Sequence, residues 1–260
     1  MLKVTTELAG GVLTITLADP DNRNALSSGL VAELVAALDR AEADDDVRVV
    51  VLTNEGSVFC AGADLSERTG GDAAPAAADP ALIFSRIMSS AKPFVGRIAG
   101  HAVAGGTGLA AAMDISIAVE DAKFGFAEVR IGAVPAIIST VCLPKMRRAD
   151  AADAMLRGKR FLAPEAARLG LINRAVASEH LDQAVSDVVE DLLLGGPNAL
   201  AATKQLLARV PGMEPDEATR WTGEISARAF SSEEGQEGMT AYLEKRSPSW
   251  APPSPEDQSS

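Results

Sequence analysis

Two cysteines, two histidines and an aromatic share of 4% in 260 residues exclude several kinds of chemistry at the outset. Cys60 and Cys142 cannot build a disulfide framework and have no metal-ligand spacing, so a reducing cytoplasm is the expected setting. His101 and His180 lie far apart, which leaves a histidine-dependent triad or a His-rich metal site without support. No apolar run has the length of a membrane span. The longest candidates, Gly100 to Met113 and Gly132 to Pro144, are too short and are small-residue or proline-interrupted. The opening residues Met1 to Glu7 lack the apolar centre of a signal peptide and read as a strand. Basic residues are outnumbered 24 to 36, and a net charge of −12 repels a phosphate backbone, so no nucleic-acid partner is expected. A small phosphorylated ligand on a local basic cluster stays compatible with that balance.

What is present suffices for a large core, since 47% of the chain is hydrophobic. Lys3 to Leu8 and Val12 to Leu17 read as two strands joined at Gly10-Gly11, the second alternating Leu13, Ile15 and Leu17 with threonines. Ser27 is placed to cap a helix carrying Leu30, Leu34, Leu38 and Ala41 on one face. Arg48 to Thr53, Pro93 to Ile98 and Ile115 to Val119 read as buried strands. Glu67 to Pro80, rich in Gly, Ala, Asp and Pro, has no periodicity and reads as a loop. Beyond residue 149 the pattern is helical, up to a proline-rich tail after Arg246. Strand-helix units followed by helices predict an α/β core with a helical region behind it. Periodicity does not separate a spiral of repeated units from a doubly wound sheet.

Three ordered segments narrow this further. They are Ser57 to Leu65 with its Phe59-Cys60-Ala61-Gly62-Ala63-Asp64-Leu65, then Gly100-His101-Ala102-Val103-Ala104-Gly105-Gly106-Thr107-Gly108, and Phe124-Gly125-Phe126-Ala127-Glu128 with Gly132 and Pro135 beyond it. Supporting blocks are Asn24-Ala25-Leu26, Ala163 to Ala167 with Gly170-Leu171-Ile172, and Glu237-Gly238-Met239 with Glu244-Lys245-Arg246. In this order and spacing the chain resembles the crotonase, or enoyl-CoA hydratase/isomerase, family along almost its whole length. The resemblance implies an α/β spiral of strand-strand-helix turns with an acyl-CoA site over residues 1–195. It also implies a C-terminal helical region over 196–260 that assembles trimers or hexamers.

The resemblance implies a site as well. The N–H groups of Ala63 and Gly105 would hold the thioester oxygen as it gains charge, a role suited to backbone donors that need no reorganisation during reaction. A helix starting near Gly106 would add its positive end. Glu128 falls at the family's second catalytic glutamate, and apolar neighbours Ile131, Val134, Ile137 and Ile138 would raise its pKa. Taken alone, Glu128 reads more readily as a surface residue paired with Lys123 or Arg130, and the family position reverses that balance. Arg23, Ala25, Ala61 and Leu65, with Asp64 in the same segment, match positions that contact coenzyme A, which enters only as part of the thioester substrate. Lys245 would meet its phosphate and Trp250 would pack on the ligand from a neighbouring region, a solvated surface role being equally open for each basic residue, and no tightly bound cofactor is implied. Asp64 and Asp114 also suit turn bracing, and His101 and Cys60 suit packing.

One departure stands out. Gly108 occupies the position at which family hydratases carry their other glutamate, and glycines usual after the proline are replaced by Ile137 and Ile138. A single carboxylate is enough to move a double bond by proton transfer, as in the family's Δ3,Δ2-enoyl-CoA isomerases. The expected activity is therefore isomerisation of an enoyl-CoA. The rivals are a hydratase of reduced or altered activity, a decarboxylase or hydrolase of another acyl-CoA, and a non-catalytic acyl-CoA-binding protein.

Overall fold

The structure, a computed structural model, describes residues 2–68 and 79–252. Most of the 67–80 segment, read above as a loop, lies outside the described residues.

Strands β1 (Val4–Ala9) and β2 (Val12–Leu17) form the expected antiparallel hairpin, and α1 (Ser28–Ala43) follows. The Ser27 hydroxyl caps α1 by accepting the Leu30 N–H at 3.3 Å, and Leu30, Leu34, Leu38 and Ala41 are buried. The chain continues through β3 (Val49–Asn54), β4 (Val58–Cys60), α2 (Pro80–Ser89), β5 (Phe94–Ile98), β6 (His101–Val103) and α3 (Gly105–Ala112). Next come β7 (Ile115–Val119), β8 (Lys123–Gly125), α4 (Ala136–Cys142), α5 (Arg148–Arg157), β9 (Arg160–Leu162), α6 (Ala163–Arg168) and β10 (Arg174–Val176). Four helices close the described chain: α7 (Leu181–Leu194), α8 (Pro197–Arg209), α9 (Pro215–Ser231) and α10 (Glu233–Glu244).

The larger sheet has the order β1-β2-β3-β5-β7-β10, parallel from β2 onward. The smaller has the order β4-β6-β8-β9. The two orders together describe a spiral. The pairs β3/β4, β5/β6 and β7/β8 each place one strand in the large sheet and the next in the small one, and the helix that follows returns the chain for another turn. This is the α/β strand-strand-helix spiral expected above. Strand β3 is buried at all of its positions, as a central parallel strand covered on both faces must be.

The five longer strands of the large sheet were legible in the sequence; its three-residue β10 was not, and neither was the small sheet. Its members are three residues each, too short for alternation to register. Helices α2 and α4 also went unread, because residues 81–90 and 136–142 adjoin stretches dominated by Gly and Pro.

Helix α8 is bolted to this core by one buried cation. Lys204, 9% exposed, donates to the Asp114 carboxylate at 2.6 Å and to the Lys92 carbonyl at 2.9 Å. Asp114 also accepts the Phe94 N–H at 2.7 Å, so it braces the start of β5, in keeping with its expected turn role. Lys204→Met is expected to lower unfolding free energy by about 3 kcal/mol, the lower end for a broken buried pair because Asp114 keeps some solvent. Urea unfolding with an unchanged slope checks it. A midpoint equal to the parent's would show that the bolt carries no weight.

Candidate functional site

In the small sheet β4, β6 and β8 are parallel, with Val58 beside His101, Cys60 beside Ala102, and Val103 beside Gly125. Their C-terminal ends therefore lie side by side, one strand spacing of about 4.8 Å from each other. Each end releases one segment singled out from the sequence. Strand β4 leads to Ala61-Gly62-Ala63, β6 to Ala104-Gly105, and β8 to Phe126-Ala127-Glu128. The sheet that sequence reading missed is what brings those residues to one edge.

The first two segments are back to back. Gly62 has φ +89°, and a Cβ there would sit 2.9 Å from both the Ala104 Cβ and the Gly105 nitrogen. A Cβ on Gly105 would be 3.1 Å from the Gly62 Cα, and one on Gly106 would run into the Cys60 carbonyl. Only glycine permits this approach at Gly62 and Gly106. Ala104 holds φ 50° and ψ −120°, a conformation costing a residue with a Cβ roughly 1–3 kcal/mol. That turn starts α3 at Gly105, one residue earlier than expected, with the helix's positive end at the same edge. Among the described residues neither the Ala63 nor the Gly105 N–H donates to a protein acceptor, so both are free for a ligand oxygen.

The Arg23–Leu26 segment runs alongside. The Leu26 N–H donates to the Gly62 carbonyl at 2.7 Å and the Ala61 N–H to the Arg23 carbonyl at 3.2 Å. Buried Asn24 secures the turn, donating to the Val58 carbonyl at 2.8 Å and accepting the Asp19 N–H at 2.8 Å. Arg23, Ala25, Ala61, Ala63, Asp64 and Leu65 are thus neighbours. Asp64 accepts from Ser66 at 2.6 Å and from Asn22 at 2.9 Å, and these bonds hold its carboxyl below the usual carboxylate range. It braces the loop.

Glu128 opens a short 3-10 turn after β8 and is half-buried. Its Oε2 is buried with no hydrogen-bond partner among the described residues, and burial raises its pKa. The surface-pair alternative fails: among the described residues Glu128 makes no ion pair with Lys123 or Arg130, and Arg130 instead donates to the Gly158 and Arg157 carbonyls at 2.8 and 3.1 Å. The expected apolar shell is partly corrected: Ile131 and Val134 are 60% and 72% exposed. On α4, burial pushes the Cys142 thiol up to about 12. Cys60 is buried and likewise pushed up to about 12, which makes it a packing residue and not a nucleophile.

Gly108 faces α4. A Cβ on it would lie 2.7 Å from the Ile138 Cβ and overlap the Ile138 Cγ2, and Ile138 is 4% exposed. Hydrocarbon therefore fills the space beside Gly108, whereas Ile137 points outward at 40% exposure. Sequence reading grouped both isoleucines as apolar neighbours of Glu128; the structure separates them because successive helical residues point about 100° apart.

Lys245 and Trp250 are not brought to this edge. Lys245 ends α10 on the surface, and Arg246 pairs with Glu237 at 2.7 Å and Glu244 at 2.8 Å. Trp250 donates its indole N–H to the Leu194 carbonyl at 3.1 Å and lines a cavity of about 500 Å³ between α8, α9 and α10, with Phe230 and Met239. His101 sits at the opposite end of β6, its Nδ1 accepting the Lys123 N–H at 3.2 Å. Among the described residues no group of three or more His, Cys, Asp or Glu could hold a metal, and no helix is long and apolar enough to cross a membrane.

Comparison with known proteins shows what the chain is similar to. Residues 7–253 match the family described as enoyl-CoA hydratase/isomerase. A Thermus thermophilus protein whose name carries the words enoyl-CoA hydratase is 37% identical over 245 residues, covering 92% of this chain and 97% of its own. Enoyl-CoA hydratase EchA19 of Mycobacterium tuberculosis is 32% identical over 254 residues, 94% of each chain. The crystal structure of an enoyl-CoA hydratase of Mycobacterium smegmatis superposes with a TM-score of 0.89 at 29% identity, covering 95% of this chain and 98% of that one.

Proposed function

This chain belongs to the enoyl-CoA hydratase/isomerase family, and on that premise we propose that it moves the double bond of an enoyl-CoA by proton transfer, with Glu128 as its one acid/base. The substrate is a coenzyme A thioester with the double bond between C3 and C4. Glu128 removes a proton from C2, the Ala63 and Gly105 N–H groups stabilise the dienolate oxygen, and Glu128 returns the proton to C4. Losing one such N–H donor typically costs about 3–4 kcal/mol of transition-state stabilisation. Arg23, Ala25, Ala61, Asp64 and Leu65 would line the approach of the coenzyme. Lys245 and Trp250 would reach it only from another copy of the chain in a trimer or hexamer.

The observation that carries the choice of isomerisation is the filling of the Gly108 position by Ile138. Adding water across a double bond needs that water held and deprotonated. A hydrocarbon wall at the second carboxylate's place supplies neither, whereas a 1,3-proton shift needs only one base. The names of the relatives favour the alternative reading, a hydratase working through Glu128 alone. The two part on substrate. The purified protein is expected to isomerise 3-enoyl-CoA roughly 10²-fold or more faster than it hydrates 2-enoyl-CoA, the usual value of one acid/base group. Fast hydration with negligible isomerisation would overturn the reading.

A further inference from the structure

Thr107 is wholly buried in the first turn of α3, and neither the family reading nor the mechanism above gives it a part. Its hydroxyl donates to the Ala102 carbonyl of β6 at 2.8 Å and accepts the Gly125 N–H of β8 at 3.1 Å. The Gly125 carbonyl lies 3.2 Å from the same oxygen, but a hydroxyl has one proton and the nearer carbonyl takes it. The Gly125 carbonyl in turn accepts the Ala104 N–H at 2.8 Å. One side chain on the helix thus links the strand that ends in the Ala104-Gly105 turn to the strand that ends in Glu128.

This link bears on a strained residue. Ala104 stays at φ 50° and ψ −120° only while its surroundings hold it there, and the direction of the Gly105 N–H follows from that pair of angles. The hydrogen bond from Ala104 to Gly125 is the direct restraint, and Thr107 sets where Gly125 sits. Building on the assignment of Gly105 and Glu128 above, we infer that Thr107 is a positioning residue for the reaction: its hydroxyl keeps the Ala104 turn in its strained form and so aims the Gly105 N–H at the thioester oxygen. It touches no substrate and acts through Gly125 and Ala104.

The test is a double-mutant comparison on the full chain, assayed with 3-enoyl-CoA. Thr107→Val keeps the shape and removes the hydroxyl. It is expected to lower kcat roughly 10- to 100-fold, the usual cost of misplacing a reacting group by about 1 Å, with a much smaller change in KM. Thr107→Ser restores the hydroxyl and should recover kcat to within about threefold of the parent. Glycine adopts positive φ without restraint, so in an Ala104→Gly background the penalty of Thr107→Val should shrink to about threefold or less. Equal losses in both backgrounds, or a serine variant as impaired as the valine one, would overturn the role. If Thr107→Val does not fold, Thr107→Cys, with a thiol in place of the hydroxyl, is carried through the same comparison. Glu128→Gln in the same assay separates the two ideas: full turnover by that variant defeats the site itself, whereas its inactivity beside background-independent Thr107 losses defeats only the positioning role.

Discussion

Glu128→Gln is expected to lower isomerisation of a 3-enoyl-CoA by roughly 10²–10⁴-fold, the range for removing a general acid/base, and to leave a more stable protein at neutral pH. The amide keeps the shape of the side chain and cannot accept the C2 proton. The stability half follows from the buried, unpartnered Oε2 and from the direction of the pKa, raised from 4.5 by burial. Below about pH 4 the carboxyl is neutral in folded and unfolded chains alike, and nothing is lost. As pH rises from 4.5 toward the raised value, the unfolded chain ionises while the folded one stays protonated, and above the raised value the folded one must hold a charge out of water. The folded state is therefore penalised at neutral pH and not in acid. Glutamine carries no charge and escapes the penalty. Melting temperatures of the two proteins should differ at pH 7–8 in favour of the variant and converge below pH 4.

The same shift sets the pH profile of catalysis. The base works ionised, so kcat/KM should fall on the acid side around a pKa above that of a free glutamate, and the fall should vanish in Glu128→Gln. Growth of the conjugated enoyl absorbance follows the reaction. Turnover by Glu128→Gln at the parental rate, or a profile flat down to pH 4, would remove Glu128 from the mechanism.

What the sequence disclosed of this site, and what it hid, has a physical order. Leu13, Ile15 and Leu17, the capping Ser27 and the all-apolar centre of β3 were readable because burial repeats along each element with a fixed period. The strands that carry Ala63, Gly105 and Glu128 to one edge are too short to show a period, so their sheet had no local signature. The chemistry-bearing residues were visible only through their resemblance to a family, since a glycine-rich turn and a lone glutamate look the same in a structural role. Beyond reach altogether were relations between distant residues. The pairing of Thr107 with Gly125 and the meeting of Gly108 with Ile138 depend on how α3 lies against β8 and α4, which no window of sequence contains. Trp250 shows the converse: read as packing on the coenzyme from a neighbouring region, in a single copy it lines a cavity with residues of α8, α9 and α10.

Gly108 and Ile138 also supply the second large effect. Gly108→Glu alone is expected to destabilise the fold by about 1–3 kcal/mol or more, as overpacking does, because its Cβ would lie 2.7 Å from that of Ile138. Ile138→Ala would not relieve this, since alanine keeps the Cβ in conflict. Ile138→Gly removes it, leaving the Ile138 Cα at 3.5 Å, an ordinary contact. By itself Ile138→Gly should cost about 2–5 kcal/mol, from a lost buried side chain and a glycine in a helix. Combined with Gly108→Glu the losses should be less than additive, because the new side chain enters the space the old one leaves. A second carboxylate would then stand at the position where family hydratases carry theirs. Hydration of 2-enoyl-CoA should rise roughly 10²-fold or more over the parent, while isomerisation falls as water competes for the site. If Gly108→Glu alone folds as well and hydrates as fast as the double variant, Ile138 is not what closes that space. If the parent already hydrates at the double variant's rate, a solitary carboxylate suffices for water addition, and the choice of isomerisation falls with it.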